Sequence, residues 1–240
     1  MNGERSANPI YVALDTPSLE RALFLTQAVK PYIGGIKIGL EFISAQGPAG
    51  IRAMVELGRP VFADVKFHDI PNTVAGAVKS LAPLGPAIIN VHASGGLAMM
   101  SAAAEAAAAF KPRPQILAVT VLTSLEQSDL NAMGVSAAPL QQVARLAKLA
   151  QVAGLDGVIC SPQEIAAVRD ACGPDFLIVT PGVRPAGASL DDQRRVTTPE
   201  RALAAGADYL VIGRPITAAP DPREAAREIA ADLAGVLAAR

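Results

Sequence analysis

The sequence predicts an α/β protein, a closed (β/α)8 TIM barrel formed as a single domain over residues 1–240. Three observations lead there. Short β-branched runs alternate with longer Ala- and Leu-rich runs, the pattern of βαβ units joined in a parallel sheet. Eight such units fill the 240 residues, a length that suits this barrel. The first unit, "ALDTPSLE", lacks the Gly-rich turn that an open doubly wound sheet carries after its first strand.

The units follow one another without a linker or a break in composition. "IYVALD" is the first strand, followed by a helix over Ser18–Lys30. "GGIKIG" precedes a helix over Glu41–Leu57, and "PVFADVK" one over Asn72–Leu84. "AIINVHA" precedes Leu97–Phe110, and "QILAVTVL" precedes Pro139–Ala153. "GVICS" leads to Pro162–Ala171, "FLIVTPG" to Pro199–Ala205, and "YLVIGRP" to Pro222–Ala239. Pro71, two residues after Asp69, fits the first helical turn, where its missing N–H costs nothing.

Composition bounds the function. Hydrophobic residues make up 51% of the chain, with no Trp, so the core is built from Ala, Val, Leu and Ile. A net charge of −1 offers no footprint for nucleic acid or an anionic membrane. No apolar run is long enough to span a bilayer, and "MNGERSANPIYVALD" has no apolar signal-peptide region. Cys160 and Cys172 form neither a metal motif nor a disulfide framework, which points to the reducing cytoplasm. With two histidines and no suitable spacing, a zinc site is not expected.

The stretch "FADVKFHDIPNT" carries the chemistry. Side chains alternate across a strand, so Asp64 and Lys66 share one face while Val61, Ala63 and Val65 share the other. The aliphatic face suits the helices, which turns the charges inward at the strand's C-terminal end. The same parity sets Asp15 beside Tyr11 and Ala13, Lys37 opposite Ile36 and Ile38, and Asn90 and His92 opposite Ile89 and Val91. Active sites of such barrels lie at this rim. Two unit charges about 4 Å apart interact by about 4 kcal/mol at an effective dielectric of about 20. The cluster is either an ion-pair network closing the barrel mouth or a catalytic centre. Because burial offsets much of an ion pair's attraction, three charges on strand ends favour catalysis, with the Lys66 cation able to donate a proton.

Other residues admit two readings. Asp69 either caps the next helix or belongs to the site, and Thr73 is by itself an ordinary helix residue. "PGVR" and "IGRP" follow strands seven and eight, where barrels often bind phosphate. There Gly213 lets the backbone approach an anion and Arg214 offers a two-pronged donor. The long polar loop "VRPAGASLDDQRRVTT" between them could bring Arg184 and Gln193 to a ligand, closing over it. The hydroxyls of "VLTS", Thr123 among them, serve a turn or a polar ligand edge. His92 fits a structural role better than a catalytic one, and His68 a loop position.

From "VALD" to "VIGRP", the sequence resembles the orotidine 5'-phosphate decarboxylase family in its bacterial form. The specific match is "DVKFHDIPNT", the family's D-x-K-x-x-D-I-P-N-T signature, followed in order by "VLTS", "TPGVRP", "DDQRR" and "VIGRP". The resemblance implies a carboxy-lyase acting in the last step of de novo pyrimidine synthesis, giving UMP and CO2 without metal or cofactor. It implies that Lys66 protonates C6 of the pyrimidine beside Asp64, and that Lys37 and Asp69 complete an alternating charged network. Asp15 and Lys37 would bind ribose hydroxyls, and Thr123 the pyrimidine edge. Arg184, Gln193, Gly213 and Arg214 would hold the phosphate. It further implies a homodimer in which Asp69 and Thr73 reach the partner's active site.

Two alternatives stand beside it. Mg²⁺-dependent sugar-phosphate decarboxylases and aldolases share the D-x-K-x-x-D strand end, but "IPNT" and "DDQ" argue against them. A phosphate-binding barrel without catalysis would not require the complete Asp64, Lys66 and Asp69 set.

Overall fold

The computed structural model describes residues 8–184 and 197–238. Eight parallel strands close in sequence order, so that the first pairs with both the second and the last. They are β1 (Ile10–Leu14), β2 (Gly35–Ile38), β3 (Val61–Phe67), β4 (Ile88–His92), β5 (Gln115–Val119), β6 (Gly157–Ile159), β7 (Leu177–Thr180) and β8 (Tyr209–Ile212). The helices are α1 (Leu19–Val29), α2 (Leu40–Val55), α3 (Pro71–Leu81), α4 (Gly96–Ala108), α5 (Gln127–Ala132), α6 (Pro139–Val152), α7 (Ile165–Cys172), α8 (Pro199–Ala204), α9 (Arg214–Thr217) and α10 (Pro222–Ala238).

Period-two alternation divides the core into two layers. Val12, Ile36, Val61, Ala63, Ile89 and Val91 face outward and pack with the helices in one continuous cluster. Tyr11, Phe62, Ile88, Leu117, Leu177 and Tyr209 fill the barrel interior in a second cluster. The interior is tight enough to demand glycine in places. A Cβ on Gly157 would lie 2.2 Å from the Leu177 carbonyl oxygen, and one on Gly35 would lie 2.4 Å from the Tyr11 ring.

Local sequence accounts for most helix starts. Ser18 caps α1 by accepting the Arg21 N–H, and Thr198 caps α8 in the same way. Proline opens α3, α6 and α8. Three features depart from the simple eightfold reading. α2 is broken at Gly47, whose φ of 57° precedes Pro48. A short α5 fills the β5–α6 connection, started by a reciprocal Glu126–Asp129 capping box. The short α9 follows β8 directly.

The N-terminal mouth carries a repeated brace. Asp156 and Asp208 each precede a strand, and each accepts a backbone N–H from the strand before it, Ile116 at 2.7 Å and Ile178 at 2.8 Å. Each also pairs with an arginine, Arg113 at 2.7 Å and Arg169 at 2.6 Å. Arg169 additionally donates to the carbonyls of Gly173, Pro174, Phe176 and Gly206.

Candidate active site

At the C-terminal mouth a cleft of about 250 Å³ opens, lined by strand ends from β1, β2, β3, β5, β6, β7 and β8. Its polar wall is a chain of alternating charges. Lys37 Nζ lies 3.0 Å from Asp15 Oδ1 and 3.4 Å from Asp64 Oδ2. Lys66 Nζ lies 2.5 Å from Asp64 Oδ1. The middle of the row is the most buried: the Lys37 side chain is 10% exposed and Asp64 13%, whereas Lys66 is 29% and Asp15 63% exposed. Asp64 thus sits between two ammonium groups, with two positive and two negative charges in the row.

Burial pushes the Asp64 carboxyl upward more than any other single influence. Lys37 and Lys66, with hydrogen bonds from Lys66 and Asn90, together outweigh it and hold the carboxyl below its usual range. Asp64 is therefore an anion wherever the protein is folded near neutral pH.

Strand parity places Asp64 and Lys37 in the cleft as expected, but Lys66 arrives by another route. Between Ala63 and Phe67 the β3–β4 register shifts, since Ala63 pairs with Ile89 and Phe67 with Val91. β3 takes four steps there to β4's two. Within this bulge Lys66 has φ 51°, and it is the one non-glycine with positive φ among the described residues. That conformation costs a non-glycine residue about 1–3 kcal/mol and concentrates at functional sites. The Lys66 N–H is taken up by Asn90 Oδ1 at 2.8 Å, and Asn90 Nδ2 donates to Asp64 Oδ1 at 2.7 Å. Asn90 is wholly buried. Its position in "IINVH", on the inward parity among aliphatic neighbours, is the sequence signal for it, although nothing local reveals what it bonds.

The rest of the cleft lining is part apolar and part polar. Val119, Val121, Leu122, Ile159, Cys160 and Val211 form the apolar part, and Thr123 joins them from the loop after β5. Gly182 and Arg184, which follow β7, and Gly213 and Arg214, which follow β8, complete the lining. A Cβ on Gly213 would stand 3.5 Å from the Ala13 Cβ and 3.8 Å from Asp15 Oδ2, so a side chain there would enter the cleft. Arg184 is buried and Arg214 exposed. Gln193 lies outside the described residues.

Asp69 and Thr73 do not line this cleft. Asp69 is exposed, and its carboxylate accepts the Ile70 N–H at 2.6 Å, while Ile70 rather than Asp69 occupies the N-cap of α3. Thr73 is exposed on α3. A separate shallow recess is lined by His68, Asp69, Ile70, Pro71, Ser94 and Gly95. His92 stacks near His68, ring centroids 5.5 Å apart. Burial first, then His68 and Lys66, push its pKa below the ordinary imidazole value. Among the described residues no group of three or more His, Cys, Asp or Glu is disposed to hold a metal ion.

Comparison with known proteins adds a lineage to this geometry. Residues 8–229 match the family model described as "Orotidine 5'-phosphate decarboxylase / HUMPS family". The orotidine 5'-phosphate decarboxylase of Moorella thermoacetica is 59% identical over 93% of this chain and 91% of its own. That of Paramagnetospirillum magneticum is 53% identical over 94% of this chain and 98% of its own. The crystal structure of the Lactobacillus acidophilus orotidine 5'-phosphate decarboxylase superposes with a TM-score of 0.84 at 37% identity, covering 95% of this chain and 99% of that one. A family model matched over residues 8–229 and a relative 59% identical over nearly the whole chain show the descent: the chain belongs to the orotidine 5'-phosphate decarboxylase / HUMPS family.

Proposed function

We propose that the chain decarboxylates orotidine 5'-phosphate to UMP and CO2, the last step of de novo pyrimidine nucleotide synthesis, with Lys66 as the proton donor. The observation that carries the mechanism is the Lys66 ammonium, held 2.5 Å from a buried carboxylate in a cleft whose lining is partly apolar. Cleavage of the bond between C6 and its carboxylate leaves the electron pair on C6 and releases neutral CO2. The Lys66 cation stabilises that charge in a site of low dielectric, then delivers its proton to C6. Asp64 lies beside the departing carboxylate, and their repulsion ends when CO2 forms. Lys37 and Asp15 hold the ribose hydroxyls, Thr123 the pyrimidine edge, and Arg184, Gln193, Gly213 and Arg214 the phosphate. These side chains work without metal or cofactor.

The same reading makes the catalytic unit a homodimer, each chain forming a single barrel domain over 1–240. Asp69 and Thr73 complete the partner's cleft rather than their own. Their exposure outside the cleft supports this, as does Ile70 between them, 66% exposed. Two free, buried cysteines fit a cytoplasmic enzyme. Among the described residues no helix is long and apolar enough to cross a membrane.

The test is the loss of the orotate chromophore from orotidine 5'-phosphate in the presence of EDTA. Wild-type turnover should survive chelation. Lys66→Ala should abolish it while UMP still binds. Activity only with Mg²⁺, on a ketopentulose or ketohexulose phosphate, would assign the chain to the sugar-phosphate branch instead.

A further inference from the structure

We propose that Asn90 is a positioning residue for the reaction: its side-chain amide ties the Lys66 backbone to the Asp64 carboxylate, and so aims the Lys66 ammonium at the substrate carbon. This rests on the decarboxylase reading above.

Asn90 sits on the inner face of β4, wholly buried and not among the residues that line the cleft. Any contribution it makes to the chemistry must pass through its neighbours. Its amide has one acceptor and one donor end, and both are used across the β3–β4 boundary. Oδ1 accepts the Lys66 N–H at 2.8 Å, and Nδ2 donates to Asp64 Oδ1 at 2.7 Å. Turning the amide over would set two donors together at Lys66 and two acceptors together at Asp64, so the orientation follows from chemistry.

The contact falls where the strand pairing fails. The β3–β4 register is broken across Lys66, and Lys66 is the residue with φ 51°. Its N–H bonds to a side chain of β4 instead of a ladder carbonyl. Lys66 Nζ returns to the same Asp64 Oδ1 that Asn90 bonds. The result is a closed ring of three contacts: Lys66 backbone to Asn90, Asn90 to Asp64, Asp64 to the Lys66 ammonium. A lysine has four rotatable bonds, and this ring fixes it at both ends. No other uncharged side chain of that size supplies a donor and an acceptor in one rigid plane. Leucine offers neither, and aspartate offers no donor.

The experiment compares Asn90→Ala and Asn90→Asp with wild type, reading kcat and KM on orotidine 5'-phosphate, UMP affinity, and hydrogen exchange of the Lys66 amide by NMR. Asn90→Ala should lower kcat about 100-fold, the scale of a catalytic group displaced by about 1 Å. KM and UMP affinity should stay within about threefold. Lys66 amide exchange should accelerate, with the amides of β1 and β7 unchanged. Asn90→Asp keeps the volume and the acceptor, and so remains informative if the alanine variant does not fold. Its Lys66 amide should stay protected while kcat falls, since a second carboxylate now faces Asp64. Either variant within about threefold of wild-type kcat would overturn the proposal. So would a loss of kcat in Asn90→Ala with Lys66 protection intact. A wild-type protein inert toward orotidine 5'-phosphate would sink the decarboxylase reading itself, a result separate from any effect of Asn90.

Discussion

In the proposed mechanism Lys66 and Arg214 divide the work of one small cleft between bond breaking and holding. Arg214 is exposed and lines the cleft, and on the proposed reading it holds the phosphate, remote from the bond that breaks. A charge-assisted hydrogen bond to phosphate is worth about 1.5–3 kcal/mol. Arg214→Ala should therefore lower kcat/KM on orotidine 5'-phosphate about 10- to 100-fold. The phosphate-free nucleoside should change by less than about twofold. Equal losses on both substrates would show that Arg214 acts on the reacting ring. His92 makes a second prediction at this scale. Its pKa is depressed in the folded protein, chiefly by burial. Below the unfolded value of about 6.5, the unfolded chain takes up a proton that the folded one refuses. Stability is thus lost as pH falls from about 6.5 through the folded pKa. Urea midpoints between neutral and acid pH should show that slope, and His92→Asn should flatten it. A slope that persists unchanged would assign it to another group.

At the scale of elements, the two mouths of the barrel are built to different ends. The N-terminal mouth is braced by Asp156 and Asp208, each joining a strand to its neighbour through a backbone N–H and an arginine. Asp208→Asn should destabilise the fold by about 2–3 kcal/mol. That is less than the loss for a wholly buried pair, because Arg169 keeps its carbonyl partners. kcat should stay at the wild-type level, since the brace lies at the opposite end from the cleft. A fall in kcat without a fall in stability would mean the mouths are coupled. The C-terminal mouth carries the bulge in β3 instead, and the strain at Lys66 is borne by the rest of the sheet. The extra helices belong to this contrast as well. α9 follows β8 directly and its first residue, Arg214, lines the cleft, whereas α5 lies in the β5–α6 connection and contributes no lining residue.

For the whole molecule, the decisive question is whether one chain makes a complete site. Asp69 and Thr73 belong to the signature stretch yet stand outside the cleft their own barrel forms. If two chains exchange them, Lys66→Ala and Asp69→Ala proteins should each be inactive alone. Mixed and re-paired, they should regain roughly a quarter of wild-type activity, because half the random dimers hold one intact site of two. Mixtures that stay inactive although mixed dimers form would restrict the site to a single chain.

Strand parity and the β–α alternation were enough to read the barrel, its single parallel sheet, and the inward turn of Asp64, Lys37 and Asn90. These follow from local rules: a pleat has period two, and an aliphatic face must be covered by helices. Tertiary structure alone decided how Lys66 reaches the cleft. A bulge is a mismatch between two strands, and no single strand's sequence records its partner's register. The Asn90 bridge, the Asp208 brace and the exclusion of Asp69 from its own cleft have the same origin. Each depends on which backbone atom of a distant segment comes within hydrogen-bond reach, and closure of the barrel sets that distance.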